Sequence, residues 1–195
     1  MLDRAARRRL DPLLDRFAEG CVRRGFSANA VTLIGFGIGL IAMLAIATRH
    51  ELVGLILLLI NRAADGVDGA IARRTKPTER GGYLDIVLDF ILYSGVPFAF
   101  AVGHPESAVA AAFLIFSFVG TGTSFLAFAI FQRDAPKQGK AFHYLGGLTE
   151  GAETIAFFVV VLLFPAAFDI AAALFGLLCW VTTAGRIVAA VSALR

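Results

Sequence analysis

Four aspartates lie within 25 residues of one another, where two apolar runs of the chain meet. Asp65 and Asp68 are three residues apart, whereas Asp85 and Asp89 are four residues apart. Either spacing places both members of a pair on one face of a helix. Because the connection between the pairs is short, the sequence predicts a helical hairpin on which the four carboxylates converge.

Four carboxylates at the edge of a bilayer need compensating charge, because like charges repel and each charge in hydrocarbon costs several kcal/mol. Divalent cations would supply that charge. A ligand set of carboxylates alone favours Mg²⁺, Mn²⁺ or Ca²⁺ over zinc. Two ions would balance the four aspartates, and paired ions are typical of phosphoryl chemistry. The alternatives are protonated carboxylates or a salt-bridge network with Arg73, Arg74 and Arg80.

Small and basic residues surround the first acidic pair. Gly66 and Gly69 lack side chains and would let a ligand approach the helix backbone. Arg73 follows Gly69 by about one helical turn, and a guanidinium is well suited to a diphosphate. The segment therefore predicts a site for both metal ions and phosphate groups.

The composition places this chemistry in a membrane. The chain has 195 residues, of which 58% are hydrophobic and 17% are charged, against about 45–50% and about 25% in soluble domains. Its mean hydropathy is +0.77. We predict an all-α, polytopic membrane protein with six transmembrane helices, preceded by an N-terminal interfacial amphipathic helix. The apolar segments are residues 29–48, 51–72, 83–103, 107–131, 148–166 and 168–190.

Lysine and arginine are distributed unevenly among the connections, which predicts the topology. Seven precede the first span, four lie between the second and third, and three lie between the fourth and fifth, whereas the alternate connections contain only Arg49. Positive charge is typical of cytoplasmic loops. We therefore expect both termini and the aspartates on the cytoplasmic side of a bacterial inner membrane. Because the basic residues flank apolar segments, we do not interpret the pI near 9.2 as nucleic-acid binding.

The N-terminal segment combines basic and apolar residues at helical spacing. Asp11 and Pro12 predict the start of a helix, and leucines then recur beside several arginines. This pattern indicates a helix at the level of anionic headgroups, with a basic solvated tail as the alternative. We expect one membrane domain over residues 1–195, with a juxtamembrane amphipathic segment (1–26) and a six-helix bundle (29–190).

The acidic segment resembles the signature of the CDP-alcohol phosphotransferase family, also called CDP-alcohol phosphatidyltransferases. The matching residues are Asp65-x-x-Asp68-Gly69-x-x-Ala72-Arg73 and, after seven further residues, Gly81-x-x-x-Asp85-x-x-x-Asp89. The resemblance covers essentially the whole chain. It implies a helical membrane protein, typically a homodimer, that transfers a substituted phosphate from a CDP-linked donor to an alcohol and releases CMP.

The resemblance also implies roles for the aspartates. Asp65, Asp68 and Asp85 would be ligands of two ions, Mg²⁺ or Mn²⁺. Asp89 would complete the metal site and act as the general base that accepts the proton of the acceptor hydroxyl.

Donor contacts are implied in the same way. Gly69 and Arg73 would contact the CDP moiety, and Gly66 would allow its close approach. Asn29 and Thr32 resemble the family element that opens the first span near the nucleotide. The expected donor is CDP-diacylglycerol, whose acyl chains can stay in lipid while the cytidine faces water.

Further polar residues on the predicted cytoplasmic side are candidates for binding the acceptor. Arg133 and Lys137 could bind an acceptor phosphate, although charges that set topology would look the same. Glu150 and Glu153 enter an apolar segment, where carboxylates are costly. They could bind a polyol or an amine, or form an ion pair with Arg186 in the last span, itself an acceptor candidate.

The stretch around these glutamates resembles a little-characterised bacterial inner-membrane branch of the family, which shares an LGGLTEG…ET run. The acceptor alcohol stays open among inositol phosphate, glycerol 3-phosphate, serine, glycerol and a lipid headgroup. Two other functions stay open as well. The aspartates could form the transport site of a cation transporter, or the chain could be a non-catalytic family member that acts in membrane assembly.

Overall fold

The computed structural model describes residues 2–132 and 147–193, and these ranges contain helices and no strand. The α helices are α1 (Leu2–Arg23), α2 (Ala28–Ala47), α3 (Glu51–Arg74), α4 (Glu79–Gly103), α5 (Ala108–Gln132), α6 (Gly151–Leu163) and α7 (Phe168–Ala193). Each of the six predicted apolar segments corresponds to one of the helices α2 to α7. The all-helical prediction is confirmed.

Four of the described helical segments are long and apolar enough to cross a membrane: Ala28–Ala47, Glu79–Gly103, Pro105–Phe131 and Pro165–Ala193. Helix α6 is apolar but has only 13 residues. Helix α3 has 24 residues but is interrupted by charged side chains. The chain is thus a polytopic membrane protein, and the count of six spans stays a prediction.

Helix α1 continues through the position at which its start was predicted. Pro12 lies inside the helix, which already begins at Leu2. The predicted start at Asp11 and Pro12 is therefore wrong. The cause is local sequence: residues 4–9 are alanines and arginines, which are strong helix formers and extend the helix on the N-terminal side of the proline.

Helix α1 packs against α3 through one face. Ala18 is completely buried against Ala70 and Ile71. Leu13 and Phe17, in contrast, are more than half exposed. Exposed apolar side chains beside exposed arginines are the combination expected of a helix at headgroup level.

The chain divides into two compact units, Met1–Pro105 and Glu106–Arg195. In the first unit, α2 packs against both α3 and α4, and glycines make these contacts close. A Cβ at Gly35 would lie 3.0 Å from Ala64 Cβ, and one at Gly39 would lie 2.6 Å from Leu92 Cδ1. Both glycines thus let α2 approach its neighbours more closely than a larger residue would allow.

In the second unit, α7 packs against α5 and α6. Its core is aromatic. The rings of Phe157 and Phe175 stack with centroids 4.7 Å apart, and Phe118 meets Phe158 edge-on at 6.4 Å.

A glycine at the contact of α2 and α3 tests this packing. In Gly54→Ala, the new Cβ would lie 2.5 Å from Ile46 Cγ1 and 3.1 Å from the carbonyl oxygen of Ala42. We expect a loss of about 1–3 kcal/mol of stability, because an overpacked contact displaces its neighbours. Gly37→Ala is the matched control, since no described residue places a heavy atom within 4 Å of its Cβ. Equal thermal midpoints of the two variants in one detergent would contradict the close packing.

Candidate active site

Three of the four aspartates form one carboxylate group. One oxygen from each of Asp65, Asp68 and Asp85 lies within 4.8 Å of the others. Asp68 and Asp65 come from the last turns of α3, and Asp85 comes from the second turn of α4. Helix α3 ends at Arg74 and α4 begins at Glu79, so the short connection brings the acidic pairs together as the sequence predicted.

Thr32 links this group to α2. Its hydroxyl donates a hydrogen bond of 2.5 Å to Oδ2 of Asp68. Asp68 is buried, and a buried carboxylate needs such a donor because it has lost its water. The bond therefore fixes one oxygen of Asp68.

The fourth aspartate has a different partner. Oδ1 of Asp89 accepts a hydrogen bond of 2.8 Å from an Nη atom of Arg62, which lies one turn before Asp65 on α3. The same guanidinium is 3.9 Å from Oδ2 of Asp65. The side chain of Arg62 is 14% exposed and that of Asp89 is 26% exposed, so this ion pair is largely removed from solvent.

Arg62 is itself held by neighbours on both sides. Its Nε donates to Oδ1 of Asn61 at 2.8 Å, and its second Nη atom lies 3.4 Å from the hydroxyl of Tyr93. Asn61, which is buried, donates to the carbonyl oxygen of Gly35 on α2 at 2.8 Å.

Our sequence analysis missed Asn61, Arg62 and Tyr93. The available signal was position, since Arg62 precedes Asp65 by three residues and Tyr93 follows Asp89 by four.

A cavity of about 390 Å³ opens beside the carboxylate group. Asn29, Thr32 and Gly69 line it, as do Asp68 and Asp85. The first turns of α2 and α4 border the same cavity, and amide groups at helix N-termini attract anions. Its volume falls in the range of small-molecule sites, about 300–1,000 Å³.

A second, smaller pocket shares Thr32, Asp68 and Asp85 with this cavity and is also lined by Arg62 and Asp89. The carboxylate group therefore separates two spaces. One is bordered by helix N-termini, and the other contains the Arg62–Asp89 pair.

The two glycines of the motif have different surroundings. A Cβ at Gly69 would lie 3.4 Å from an Nη atom of Arg73, so the arginine side chain lies along this part of α3. A Cβ at Gly66 would lie 2.8 Å from Leu14 Cδ1 of α1. The space above Gly66 is thus filled by α1, and helix packing accounts for this glycine without a ligand.

The two glutamates cap helix α6. The backbone N–H of Gly147 donates to Glu150 at 3.1 Å, and the N–H of Glu150 donates to Glu153 at 3.3 Å. The pair forms a capping box, which satisfies amide groups that a helix leaves free at its start. The structure thereby gives both carboxylates a local role.

Arg186 lies buried on α7. One Nη atom donates to the carbonyl oxygen of Thr121 at 3.0 Å, and the guanidinium carbon lies 5.5 Å from the ring centroid of Phe125. Its buried Nε finds no hydrogen-bond partner among the described residues. The other acceptor candidates, Arg133 and Lys137, lie outside the described residues.

Chemically, the first unit combines what a phosphoryl transfer requires. An oxygen-only group of three carboxylates suits Mg²⁺ or Mn²⁺. The adjoining cavity suits an anion, and a fourth carboxylate on the other side of the group could accept a proton.

Comparisons with known proteins identify relatives of this chain. The chain is 47% identical over 193 residues to inner membrane protein YnjF of Escherichia coli strain K12, covering 96% of this chain and 94% of that protein. It is also 32% identical over 91 residues to archaetidylinositol phosphate synthase of Pyrococcus horikoshii, covering 46% of this chain and 48% of that one.

The fold also matches a solved structure. The crystal structure of phosphatidylinositol phosphate synthase from Mycobacterium tuberculosis, with CDP-DAG bound, superposes with a TM-score of 0.74. The match covers 92% of this chain and 94% of that one at 19% sequence identity. A family model described as CDP-alcohol phosphatidyltransferase matches residues 26–189, and the chain therefore belongs to the CDP-alcohol phosphatidyltransferase family.

Proposed function

We propose that the protein transfers a phosphatidyl group from CDP-diacylglycerol to an alcohol and releases CMP. One observation carries the proposal: Asp68 and Asp85 line both the cavity and the pocket that contains Asp89. A donor phosphate and an acceptor hydroxyl could then meet at one carboxylate group. The family assignment favours the transferase over the cation-transporter alternative. The transferase needs a cytidine-linked donor, whereas a transporter does not.

The donor would occupy the larger cavity. Asn29, Thr32 and Gly69 line it, and Arg73 lies beside Gly69. Two helix N-termini and these basic and small residues suit a diphosphate. The CDP-DAG bound to the M. tuberculosis enzyme supports the choice of donor. Gly66 would serve the site indirectly, through the packing of α1.

The ions would be held by Asp65, Asp68 and Asp85, with Asp89 completing the site, and two ions, Mg²⁺ or Mn²⁺, are the expected number. When bound, such ions offset the charge on the diphosphate and on the leaving CMP. The protein's part is to hold the three carboxylates together, which the Thr32 hydrogen bond and the short α3–α4 connection do.

The transfer itself exchanges one phosphorus–oxygen bond for another. The acceptor hydroxyl oxygen attacks the phosphorus that carries the diacylglycerol, while the bond from that phosphorus to the oxygen bridging to CMP breaks. CMP leaves with the bond's electron pair. Asp89 takes the proton of the hydroxyl, as a general base positioned on the far side of the carboxylate group.

Arg186 supports an acceptor-binding role in the second unit. The buried Nε of Arg186 has no hydrogen-bond partner within the described part of the chain, so a further acceptor atom would offset the cost of its desolvation. A phosphate or polyol oxygen of the acceptor would satisfy it. We retain Arg133, Lys137, Glu150 and Glu153 as candidates, although capping α6 already uses both glutamates.

The site would face the cytoplasm of a bacterial inner membrane, as the arginine and lysine distribution predicts. E. coli YnjF, an inner membrane protein similar over nearly the whole chain, supports this location. A homodimer is the expected assembly.

Replacing the proposed base tests the mechanism directly. Asp89→Asn keeps the shape of the side chain and removes its basic oxygen, so CMP release should fall about 10²- to 10⁴-fold. Binding of CDP-diacylglycerol should stay unchanged. Asp169→Asn, at the first turn of α7, is the matched control and should keep full activity. Normal CMP release by Asp89→Asn would exclude Asp89 as the base.

Metal removal tests the ion dependence. CMP release from CDP-diacylglycerol should stop in EDTA and return on addition of excess Mg²⁺ or Mn²⁺, because the carboxylates and the diphosphate are all anionic and repel one another without a cation between them. The assay should include inositol phosphate, glycerol 3-phosphate, serine and glycerol as acceptors. Undiminished turnover in EDTA would contradict the metal assignment.

Arg186 provides the test of acceptor binding. Loss of a charged hydrogen bond in Arg186→Gln should raise the KM for the acceptor about 10- to 100-fold. The affinity for CDP-diacylglycerol should not change. Arg186→Lys should recover part of the loss. A lower thermal midpoint with an unchanged acceptor KM would instead assign Arg186 a structural role.

A further inference from the structure

We propose that Asn61 is a positioning residue that sets the register of α2 against α3 and thereby keeps the Thr32 hydroxyl on Asp68. The inference rests on the proposed function, because the effect of the register is measured at the metal-binding carboxylates. It assigns a task to a buried amide that lies outside the aspartate motif.

Asn61 is a polar side chain within an apolar contact between two helices. It is 4% exposed, and its Nδ2 donates to the carbonyl oxygen of Gly35 at 2.8 Å. Residues 33–47 of α2 have no side chain that contains nitrogen or oxygen. Along this length, the backbone carbonyl oxygens of α2 are therefore the strong acceptors that a donor on α3 can use.

Two glycines of α2 make this carbonyl accessible. Gly35 and Gly39 are four residues apart and so lie on the same face of the helix. A Cβ at Gly39 would lie 3.3 Å from Nδ2 of Asn61, and a Cβ at Gly35 would lie 3.8 Å from it. The amide group of Asn61 therefore occupies space that a larger side chain on α2 would take.

The bond from Asn61 and the bond between Thr32 and Asp68 join the same two helices. Asn61 and Asp68 are seven residues apart, which is about two turns and places both on one face of α3. Gly35 and Thr32 are three residues apart and share a face of α2. A slip of one residue between the helices would displace each contact by about 1.5 Å, which is more than the length of a hydrogen bond can vary. Both bonds therefore form in the same register.

Thr32 does not determine its own partner. Its hydroxyl oxygen lies 2.5 Å from Oδ2 of Asp68 and 3.0 Å from the carbonyl oxygen of Ala28 in its own helix. A hydroxyl has one proton to donate, so these two acceptors compete for it. The carbonyl of Ala28 moves with α2, whereas Asp68 belongs to α3. A fixed register between the helices is thus what keeps Asp68 within reach.

Apolar packing fixes this register less strictly than the amide does. When one apolar helix face slides along another, one set of van der Waals contacts replaces a similar set. A buried amide that loses its acceptor instead leaves a polar group unsatisfied, which is costly. A single buried asparagine sets the register of coiled coils in this way, and Asn61 occupies a comparable place between α2 and α3.

Mn²⁺ binding by two single variants and their combination tests the inference. Asn61→Leu removes the amide and keeps the size of the side chain, whereas Thr32→Val removes the hydroxyl that bonds Asp68. Each should lower the Mn²⁺ affinity about tenfold, as the loss of a group that orients a ligand does. If Asn61 acts by placing Thr32, the double variant should bind Mn²⁺ no more weakly than Thr32→Val alone. Calorimetric titration of the purified, metal-free proteins measures these affinities.

Two results would overturn the inference. The first is a wild-type Mn²⁺ affinity in Asn61→Leu. The second is a loss of about 100-fold in the double variant, because independent effects multiply. Asn61 would then act through its other partner, Arg62, whose Nε donates to it at 2.8 Å. Ser117→Ala is the matched control, since it removes a buried side-chain hydrogen bond from α5; its Mn²⁺ affinity should equal the wild-type value.

Thermal unfolding separates positioning from stability. A hydrogen bond between membrane helices contributes little to stability, so Asn61→Leu should keep a thermal midpoint close to that of the wild type. If this variant does not fold, Asn61→Ala removes the same amide with a smaller side chain and carries the same expectations for Mn²⁺ binding. A lower midpoint with an unchanged Mn²⁺ affinity would assign Asn61 a structural role alone and contradict the inference.

The proposed function and this inference fail separately. Wild-type protein that neither binds Mn²⁺ nor releases CMP from CDP-diacylglycerol would refute the proposed function. Wild-type protein that does both, with a normal Mn²⁺ affinity in Asn61→Leu and Asn61→Ala, would refute only the role of Asn61.

Discussion

Charge compensation among four aspartates is the constraint on which the first unit depends. The carboxylates lie on helices that are otherwise apolar, where an uncompensated charge is costly. The structure offers three kinds of compensation for these charges. Thr32 donates to Asp68, Arg62 pairs with Asp89, and one oxygen each of Asp65, Asp68 and Asp85 lies close enough to the others to share a cation. The fold thus supplies partners for two of the carboxylates and brings three of them together.

Close helix packing makes these solutions possible. Gly35 and Gly39 let α2 approach α3 and α4, and this approach places Thr32 against Asp68 and the Gly35 carbonyl against Asn61. The glycines of α2 therefore support the site by allowing the helices to approach one another. A bulkier residue at Gly39 would meet Leu92 and the Asn61 side chain, so packing and catalysis share the same few contacts.

Sequence patterns predicted the parts of this arrangement that depend on spacing along one helix. They predicted the six apolar helices, the convergence of Asp65, Asp68 and Asp85, and the family. They did not predict which residues of different helices contact each other. Such contacts depend on how each helix is rotated about its axis and shifted along it. Arg62 and Asn61 were missed for that reason.

The same limit explains two other differences from the sequence analysis. The space above Gly66 is filled by Leu14 of α1, a contact between helices that no spacing within α3 reveals. Glu150 and Glu153 looked costly inside an apolar segment, yet the segment begins its helix only at Gly151. The two carboxylates therefore meet free amide groups at a helix start, and their cost is offset locally.

A fixed arginine and exchangeable metal ions neutralise carboxylates in different ways. A metal ion binds in the folded state, can be removed, and draws every reachable oxygen into its coordination shell. An arginine held by three neighbours is part of the fold and offers donors in fixed directions. The first unit contains a fixed cation of this kind, Arg62, which pairs with Asp89. It also contains a carboxylate group suited to an exchangeable ion, since Asp65, Asp68 and Asp85 each place an oxygen within 4.8 Å of the others. Both lie on the hairpin formed by α3 and α4, so one short stretch of the chain brings two kinds of charge compensation together.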